Sequence, residues 1–282
     1  MIEMSLSEQL TYSTVLIQCI YKNHLTGSGT GFIINICRNP INDKYVPIIV
    51  TNKHVIKDAE VIGFSFCRKN EKGDPVDTEV VNINVKEVPW IMHPNSDVDL
   101  CCMPLVPVLK LLEDNKLSAF YIPLDTSLIP NANTIRNLRA IEDVTMLGYP
   151  IGLSDKYNHK PIIRRGITAT HIKNDYNGKK EFAVDMACFP GSSGSPIFIL
   201  NEGGYTDSRY NLMLQTRILL IGVLYAVHQQ LTEGAIVCGT IPNTPHTVTG
   251  IPIGLGIGIK SELILDFEQF FNNEVFGNSC SS

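Results

Sequence analysis

The sequence of 282 residues suffices for one large domain or two small ones, and its 44% apolar against 18% charged residues excludes a disordered chain. A formal net charge of −5, without clustered lysines and arginines, excludes a generic binder of nucleic-acid phosphates. The longest apolar run, residues 218–227, is too short to cross a bilayer, and the N-terminus lacks the pattern of a secretory signal, so we expect a cytoplasmic protein with no membrane partner.

Short segments rich in β-branched and aromatic residues and bounded by turn residues predict strands throughout the first half. The predicted strands cover residues 15–21, 31–37, 46–51, 61–66, 81–86 and 99–103. Residues 107–117 have apolar side chains at helical spacing, and residues 123–133 read as a loop. We interpret these two segments as the connection between two halves of the protein.

The second half has the same character. Its predicted strands cover residues 144–147, 164–173, 181–186, 195–200, 218–227 and 254–260, with a loop at 201–210. Asn177-Gly178 is typical of a hairpin turn, because both central residues of that turn need positive φ. Many short strands predict an all-β barrel or sandwich, and periodicity does not choose between the two.

Three segments carry the residue types of nucleophilic catalysis, in the order His, Asp, Ser. His54 follows an apolar strand, Asp99 opens a strand, and Ser193 lies in the segment Pro190-Gly191-Ser192-Ser193-Gly194. A serine hydroxyl is a weak nucleophile that needs a base within hydrogen-bond reach, and histidine can take and return that proton near neutral pH. A carboxylate behind the histidine fixes its tautomer and stabilises the imidazolium. These residues are therefore the candidate catalytic triad.

A glycine two residues before the serine lets the backbone turn so that two N–H groups face one point. Here those groups belong to Gly191 and Ser193, which we predict to form an oxyanion hole for a tetrahedral intermediate. Ser192 and Ser195 are neighbouring alternatives to Ser193, but the spacing to Gly191 favours Ser193. Asp97 is an alternative acid, although its choice would leave the charged Asp99 inside the predicted strand.

The three motifs and their flanking segments resemble those of the trypsin-like serine peptidases, most closely the bacterial HtrA-type branch. The similarity covers roughly residues 10 to 265 and is carried by residues 29–33, 51–55, 148–153, 165–167, 185–196, 221–223 and 255–259. Ser192 departs from the digestive enzymes, which have an aspartate there that pairs with a newly cut N-terminus, so we expect no activation by that route. The chain ends about twenty residues after the last predicted strand, so no PDZ domain is expected.

This resemblance implies an all-β, chymotrypsin-like double six-stranded antiparallel β-barrel with a short C-terminal helical segment. It implies an N-terminal barrel over residues 1–120 with His54 and Asp99, and a C-terminal barrel over residues 121–282 with Ser193. It also implies a serine endopeptidase that works through an acyl-enzyme. We expect a regulatory, stress or defence protease with a protein or peptide substrate and a regulatory protein partner.

The same resemblance places the substrate pocket. One wall would be Ala187-Cys188-Phe189, and the other the strand Tyr225-Ala226-Val227, whose backbone would pair with the substrate as an added β-strand. Neither wall has a carboxylate or a guanidinium at the expected position. The sequence therefore predicts a small or medium aliphatic residue at P1, the substrate residue that contributes the scissile carbonyl.

No residue pattern indicates a bound metal or cofactor. Eight cysteines are scattered without a Cys-x-x-Cys pair, so we expect free thiols in a reducing compartment. The remaining histidines lack metal-ligand spacing, and the glycine-rich segment 254–258 lacks the strand–loop–helix unit of a dinucleotide site. We expect neither a metal nor a cofactor.

Two other functions are compatible with parts of the pattern. The first is a catalytically silent or latent protein of the same fold that binds peptides or a partner in its cleft. The second is an α/β-hydrolase, which needs Gly-x-Ser-x-Gly followed by a helix. Here Ser195 and Pro196 follow Gly194 and a strand-like segment comes next, which argues against the hydrolase.

Overall fold

A computed structural model of the protein describes residues 4–22, 24–39, 44–86, 89–235 and 246–271, with the backbone alone at residues 39, 228–235 and 246–252. The helices are α1 (Leu6–Thr11), α2 (Lys53–Ile56), α3 (Val106–Asp114), α4 (Ala132–Arg136) and α5 (Asp266–Phe271). The strands of the first half are β1 (Thr14–Tyr21), β2 (Thr26–Asn39), β3 (Lys44–Thr51), β4 (Ala59–Lys69), β5 (Pro75–Val85), β6 (Ile91–Met92), β7 (Cys101–Pro104), β8 (Ala119–Phe120) and β9 (Leu124–Asp125). Those of the second half are β10 (Asp143–Gly148), β11 (Ile162–Thr168), β12 (Glu181–Asp185), β13 (Pro196–Asn201), β14 (Tyr205–Thr206), β15 (Leu212–Met213), β16 (Arg217–Ala235) and β17 (His246–Lys260).

The second half forms a closed antiparallel barrel of six strands, in the order β10-β11-β12-β17-β16-β13. Closure removes the exposed strand edges that a flat sheet would leave. The interior is filled by one apolar cluster that includes Phe182, Ile197 and Ile221. β14 and β15 form a small hairpin outside the barrel, with β14 inside the segment predicted as a loop and β15 just after it. The six strands of this barrel agree with the sequence prediction.

The first half forms a nine-stranded sheet, and this sheet together with the closed barrel agrees with the all-β, chymotrypsin-like architecture that the sequence predicts. Its main path runs β5-β4-β1-β2-β3-β7-β6, while β8 adds to β4 and β9 pairs in parallel with β2. β6 has only two residues, and no pairing between β5 and β6 joins the two ends within the described residues. β9 lies beyond residue 120, so this sheet extends past the predicted boundary; the division at 120/121 stays a prediction.

β2 and β3 are buried on both faces, which explains their continuous apolar runs. Phe32, Ile34 and Val50 point into a core shared with the second half, where they meet Phe198 and Phe267. Alternate residues of the same strands point into the core of the first half. The two halves therefore pack on a common core that extends beneath helix α5.

Most predicted strands are present with shifted ends. The helix predicted over residues 107–117 is α3, and Asn177 and Gly178 both have positive φ, at 53° and 75°. The loop predicted over residues 123–133 instead contains β9, a 3-10 turn at Thr126–Leu128 and the start of α4. The strand predicted to reach residue 173 ends at Thr168. No helix in the described ranges has the length and apolar character needed to span a membrane.

Candidate active site

His54 and Asp99 meet at the edge of the first half. His54 lies in the short helix α2 directly after β3, and Asp99 lies two residues before β7, the strand that pairs with β3. The His54 Nδ1 atom is 2.5 Å from Asp99 Oδ2, and the His54 backbone N–H donates to Asp99 Oδ1 over 3.1 Å. Both carboxylate oxygens therefore hold the histidine. Asp97 is exposed, and no contact joins its carboxylate to His54 in the described structure.

Neighbouring polar groups hold the loop that carries Asp99. The buried Asn52 amide donates to the Asp99 carbonyl over 2.7 Å. The Lys53 ammonium donates to the carbonyls of His93, Asn95 and Ser96 over 3.2 to 3.4 Å. Residues 52–54 thus fix the acid-bearing loop against the histidine turn.

Ser193 is the accessible serine of its segment. Its hydroxyl donates to the Tyr225 carbonyl over 3.5 Å, and no hydrogen bond joins it to His54 within the part of the chain that the structure describes. Ser192 and Ser195 are both fully buried, and neither hydroxyl has a hydrogen-bond partner among the described residues. Only Ser193, the middle one of these three serines, is accessible from the surface.

The N–H groups of Gly191 and Ser193 are the unpaired donors of the segment. The N–H groups of Ser192, Gly194 and Ser195 donate to the carbonyls of Phe189, Leu224 and Ser192. No acceptor for Gly191 N or Ser193 N exists among the described residues. The segment therefore keeps two donors free beside the Ser193 hydroxyl.

Hydrogen bonds to the carbonyl oxygens of the same two peptide groups set the directions of these N–H groups. The Pro190 carbonyl accepts from Ile151 N–H over 2.7 Å, and the Ser192 carbonyl accepts from Ser195 N–H over 3.1 Å. Because a trans peptide is planar, fixing the carbonyl directs the N–H of the next residue the opposite way. Ile151 makes its bond with φ at 52°, a backbone conformation that a β-branched residue rarely adopts. Sequence reasoning missed Ile151 because its contact depends on backbone shape.

Thr30, in the first half, makes hydrogen bonds that hold the segment around Ser193. It is fully buried, its N–H donates to the Ser193 carbonyl over 2.9 Å, and its hydroxyl donates to the Gly191 carbonyl over 3.3 Å. The same hydroxyl accepts from Tyr149 N–H over 2.9 Å, and the Thr30 carbonyl accepts from the Thr51 hydroxyl over 2.7 Å. Thr51 ends the strand that leads to His54. One residue therefore links the histidine side of the site to the serine side.

The glycines on either side of Ser193 are required by space as well as by φ. Gly191 has φ at 82°, and a side chain there would collide with the Ile151 backbone. Gly194 has φ at 86°, and a side chain there would collide with the Thr30 carbonyl and the Thr51 hydroxyl. L-residues with a Cβ are strained at such φ values. The turn around Ser193 is therefore built for these two glycines.

The predicted substrate strand has a free edge. β13 pairs with β16 only as far as Val223, so the same edge of Tyr225, Ala226 and Val227 has no strand partner among the described residues. A register shift between Leu224 and Ala226 in the pairing with β17 places a bulge at Tyr225. Burial and a hydrogen bond to Glu181 raise the pKa of the Tyr225 phenol. The Tyr225 carbonyl faces the Ser193 hydroxyl.

The opposite wall differs from the sequence prediction in its side chains. Ala187 and Phe189 are exposed, whereas Cys188 is buried and packs toward Gly256 and the barrel core. Burial raises the pKa of the Cys188 thiol to about 11. Only the Cys188 backbone, and not its thiol, can therefore face a substrate, because successive residues of an extended segment point to opposite sides.

The structure also brings a guanidinium to this wall from β11, a strand that the sequence prediction of the pocket did not include. Arg164 of β11 donates a hydrogen bond to the Ala187 carbonyl, and its guanidinium carbon lies 4.8 Å from the centre of the Phe189 ring. Arg164 and Arg165 alternate along the strand, half-buried and exposed. Two adjacent arginines in a predicted strand must point to opposite faces, and this signal was available in the sequence.

Comparison with known proteins gives a family and a fold. Residues 29–204 match the model of the trypsin-like peptidase domain. The HtrA-type protease AlgW, solved with a tripeptide, aligns with a TM-score of 0.50 at 15% identity over 95% of this chain and 62% of its own. This chain thus spans about three-fifths of the AlgW chain. At this identity the likeness shows a common fold.

Two further solved structures align less well. They are the active form of the Rv3671c protease from M. tuberculosis, with a TM-score of 0.43 at 14% identity over 92% of this chain and 80% of its own, and Deg5, with 0.44 at 17% identity over 89% and 92%. No curated protein sequence gives a significant match.

Proposed function

Because this chain belongs to the trypsin-like peptidase family, we propose that it is a serine endopeptidase with Ser193 as nucleophile, His54 as general base and Asp99 as the orienting acid. The observation that carries the proposal is the pair of free N–H groups at Gly191 and Ser193, in a segment whose other N–H groups are all paired. Donors left free at that point are suited to a developing oxyanion. The Asp99 carboxylate on His54 Nδ1 supports the assignment of the base.

The chemistry follows from these positions. His54 Nε2 takes the proton of the Ser193 hydroxyl as the oxygen attacks the substrate carbonyl, whose oxygen becomes the oxyanion held by Gly191 and Ser193 N–H. The imidazolium, stabilised by Asp99, then protonates the leaving amine, and an acyl-enzyme remains on Ser193. Water attacks the acyl-enzyme with His54 again as base, which restores the serine.

The Ser193 hydroxyl has to leave the Tyr225 carbonyl before it can reach His54. A substrate that pairs with the free edge at Tyr225–Val227 would donate its own N–H to that carbonyl, and so displace the serine hydroxyl. Rotation about one side-chain bond of a part-exposed serine is fast, on the order of nanoseconds or less. Substrate binding would thereby complete the triad.

We place this activity in the cytoplasm, in regulation, stress or defence, with protein or peptide substrates and a regulatory protein partner. Six cysteines of the described structure are free thiols, which supports a reducing compartment.

Labelling with a fluorophosphonate probe tests the proposal. The wild type should form one adduct on Ser193, found by peptide mass spectrometry, and should degrade unfolded casein. Ser193→Ala and His54→Ala should lose both reactions. Ser192→Ala is the matched control, and it should behave like the wild type because Ser192 is buried. Labelling of Ser193→Ala at the wild-type rate would contradict the proposal.

A latent or catalytically silent cleft binder is the second candidate. The observation in its favour is the Ser193 hydroxyl bound to Tyr225 and not to His54. Such a protein would resist the probe in every variant, yet Ser193→Ala would still bind extended peptides along residues 225–227. If the probe labels the wild type but neither Ser193→Ala nor His54→Ala, the result supports the enzyme over the silent binder.

A further inference from the structure

Arg164 lies where the P1 side chain of a substrate would be expected, given the proposed function on which this inference rests. The scissile carbonyl would sit at Gly191 and Ser193 N–H, and the P1 N–H at the Tyr225 carbonyl. The P1 side chain then leaves the backbone between residues 225–227 and the wall of Ala187 and Phe189. Arg164 contacts both of those wall residues.

The guanidinium of Arg164 has no acidic partner among the described residues. Three other arginines have such a partner: Arg68 is paired with Glu79, and Arg139 and Arg217 with Glu142. Arg164 is half-buried, and burial lowers its pKa. Taking a charge partly out of water without a counter-charge costs free energy. A carboxylate supplied from outside would offset that cost.

The guanidinium is also held in a fixed plane. The hydrogen bond to the Ala187 carbonyl uses one N–H of the five that a guanidinium carries, and the Phe189 ring supports one face. A planar fork with free donors matches a carboxylate, which can accept two parallel bonds. A neutral aliphatic side chain would leave those donors unpaired as water is displaced.

We propose that Arg164 is a specificity-determining residue that selects substrates with an acidic side chain, glutamate or aspartate, at P1. This choice replaces the aliphatic residue that the sequence predicts. The preference comes from a strand of the barrel wall, about thirty positions before the nucleophile in the sequence.

Matched internally quenched peptides that differ only at P1 test this inference, with Glu, Gln, Asp, Asn, Leu, Val or Lys at that position. The wild type should cleave the Glu or Asp peptide about 10- to 100-fold faster, in kcat/KM, than its amide counterpart, the range for a hydrogen bond to a charged group. Arg164→Gln should remove this ratio, chiefly by lowering kcat/KM for the Glu and Asp peptides. Arg164→Glu should turn the preference toward Lys.

Arg165→Gln is the matched control, since it removes an exposed charge from the opposite face of the same strand. It should keep the acidic preference. A wild type that prefers Val or Leu, or an Arg164→Gln variant that slows every peptide equally, would overturn the inference and make Arg164 a brace of the wall. In both cases the wild type would still carry a fluorophosphonate adduct on Ser193. No adduct and no cleavage would instead overturn the proposed function itself.

Discussion

The two sides of the candidate site are built in different ways. On the histidine side, side chains make the geometry: His54 and Asp99 meet directly, with 46% and 24% of their side chains exposed. On the serine side, backbone groups make it, because the free N–H groups of Gly191 and Ser193 are directed by contacts from Ile151 and the buried Thr30. The histidine side should therefore respond to side-chain chemistry, and the serine side to backbone conformation.

The largest effect is expected on the histidine side. Asp99→Asn leaves the shape intact but favours the wrong tautomer of His54, so kcat should fall by about four orders of magnitude. The free energy of unfolding should change much less, as the pair is part-exposed. Steady-state cleavage and urea unfolding measure the two quantities. Asp97→Asn is the control, and an equal loss of kcat there would remove Asp99 from the triad.

The second-largest effect is expected from a change in the backbone conformation of the serine side. Gly194→Ala should cost more than about 2 kcal/mol in the free energy of unfolding and should abolish fluorophosphonate labelling, because the new Cβ meets the Thr30 carbonyl. Gly203→Ala is the control that separates the cost of the steric clash from the cost of the strained φ. Gly203 has φ at 84° but open space where the side chain would lie. It should cost about 1 kcal/mol and keep full labelling. Equal costs at the two glycines would contradict the account.

Removal of the Thr30 hydroxyl, which links the histidine side to the serine side, should have a smaller effect. Thr30→Val removes the hydroxyl, so the buried Tyr149 N–H loses its acceptor and the Gly191 carbonyl loses a donor. An unpaired buried donor costs about 1–3 kcal/mol, and the labelling rate should fall because the oxyanion hole is less well held. Thr30→Ser keeps the hydroxyl and should restore the labelling rate. Equal rates in the Val and Ser variants would show that the hydroxyl does not position the segment.

The smallest effect is expected at Ser192. Its buried hydroxyl has no partner among the described residues, so Ser192→Ala should be neutral or should raise the free energy of unfolding by about 1 kcal/mol. Thermal or urea unfolding measures this change. A loss of more than about 1 kcal/mol would mean that the hydroxyl makes a bond essential to the segment.

The sequence was informative where chemistry and local pattern coincide. The residues around His54, Asp99 and Ser193 were predicted from residue type and order, and the structure brings the first two into contact. The positive φ values of Asn177 and Gly178 were predicted from their residue types, although the two residues lie in a 3-10 turn and not in a tight hairpin between paired strands. Helix α1 was missed although its signal is local: Ser5 and Glu8 form a capping box.

The remaining features depend on contacts between distant parts of the chain. Thr30 and Tyr149 are 119 positions apart, and a threonine after a glycine gives no local sign of that contact. The same holds for Ile151, whose role lies in its N–H, and for the Cys188 thiol, whose burial is decided by β16 and β17. Local periodicity finds strands, but it does not show which loops they bring together.

The most direct test is a crystal structure of the protein after reaction with a fluorophosphonate. The account predicts phosphorus bonded to Ser193 Oγ and a phosphonyl oxygen about 3 Å from both Gly191 N and Ser193 N, with His54 still bound to Asp99. An adduct on another residue, or a phosphonyl oxygen directed away from those two N–H groups, would contradict it.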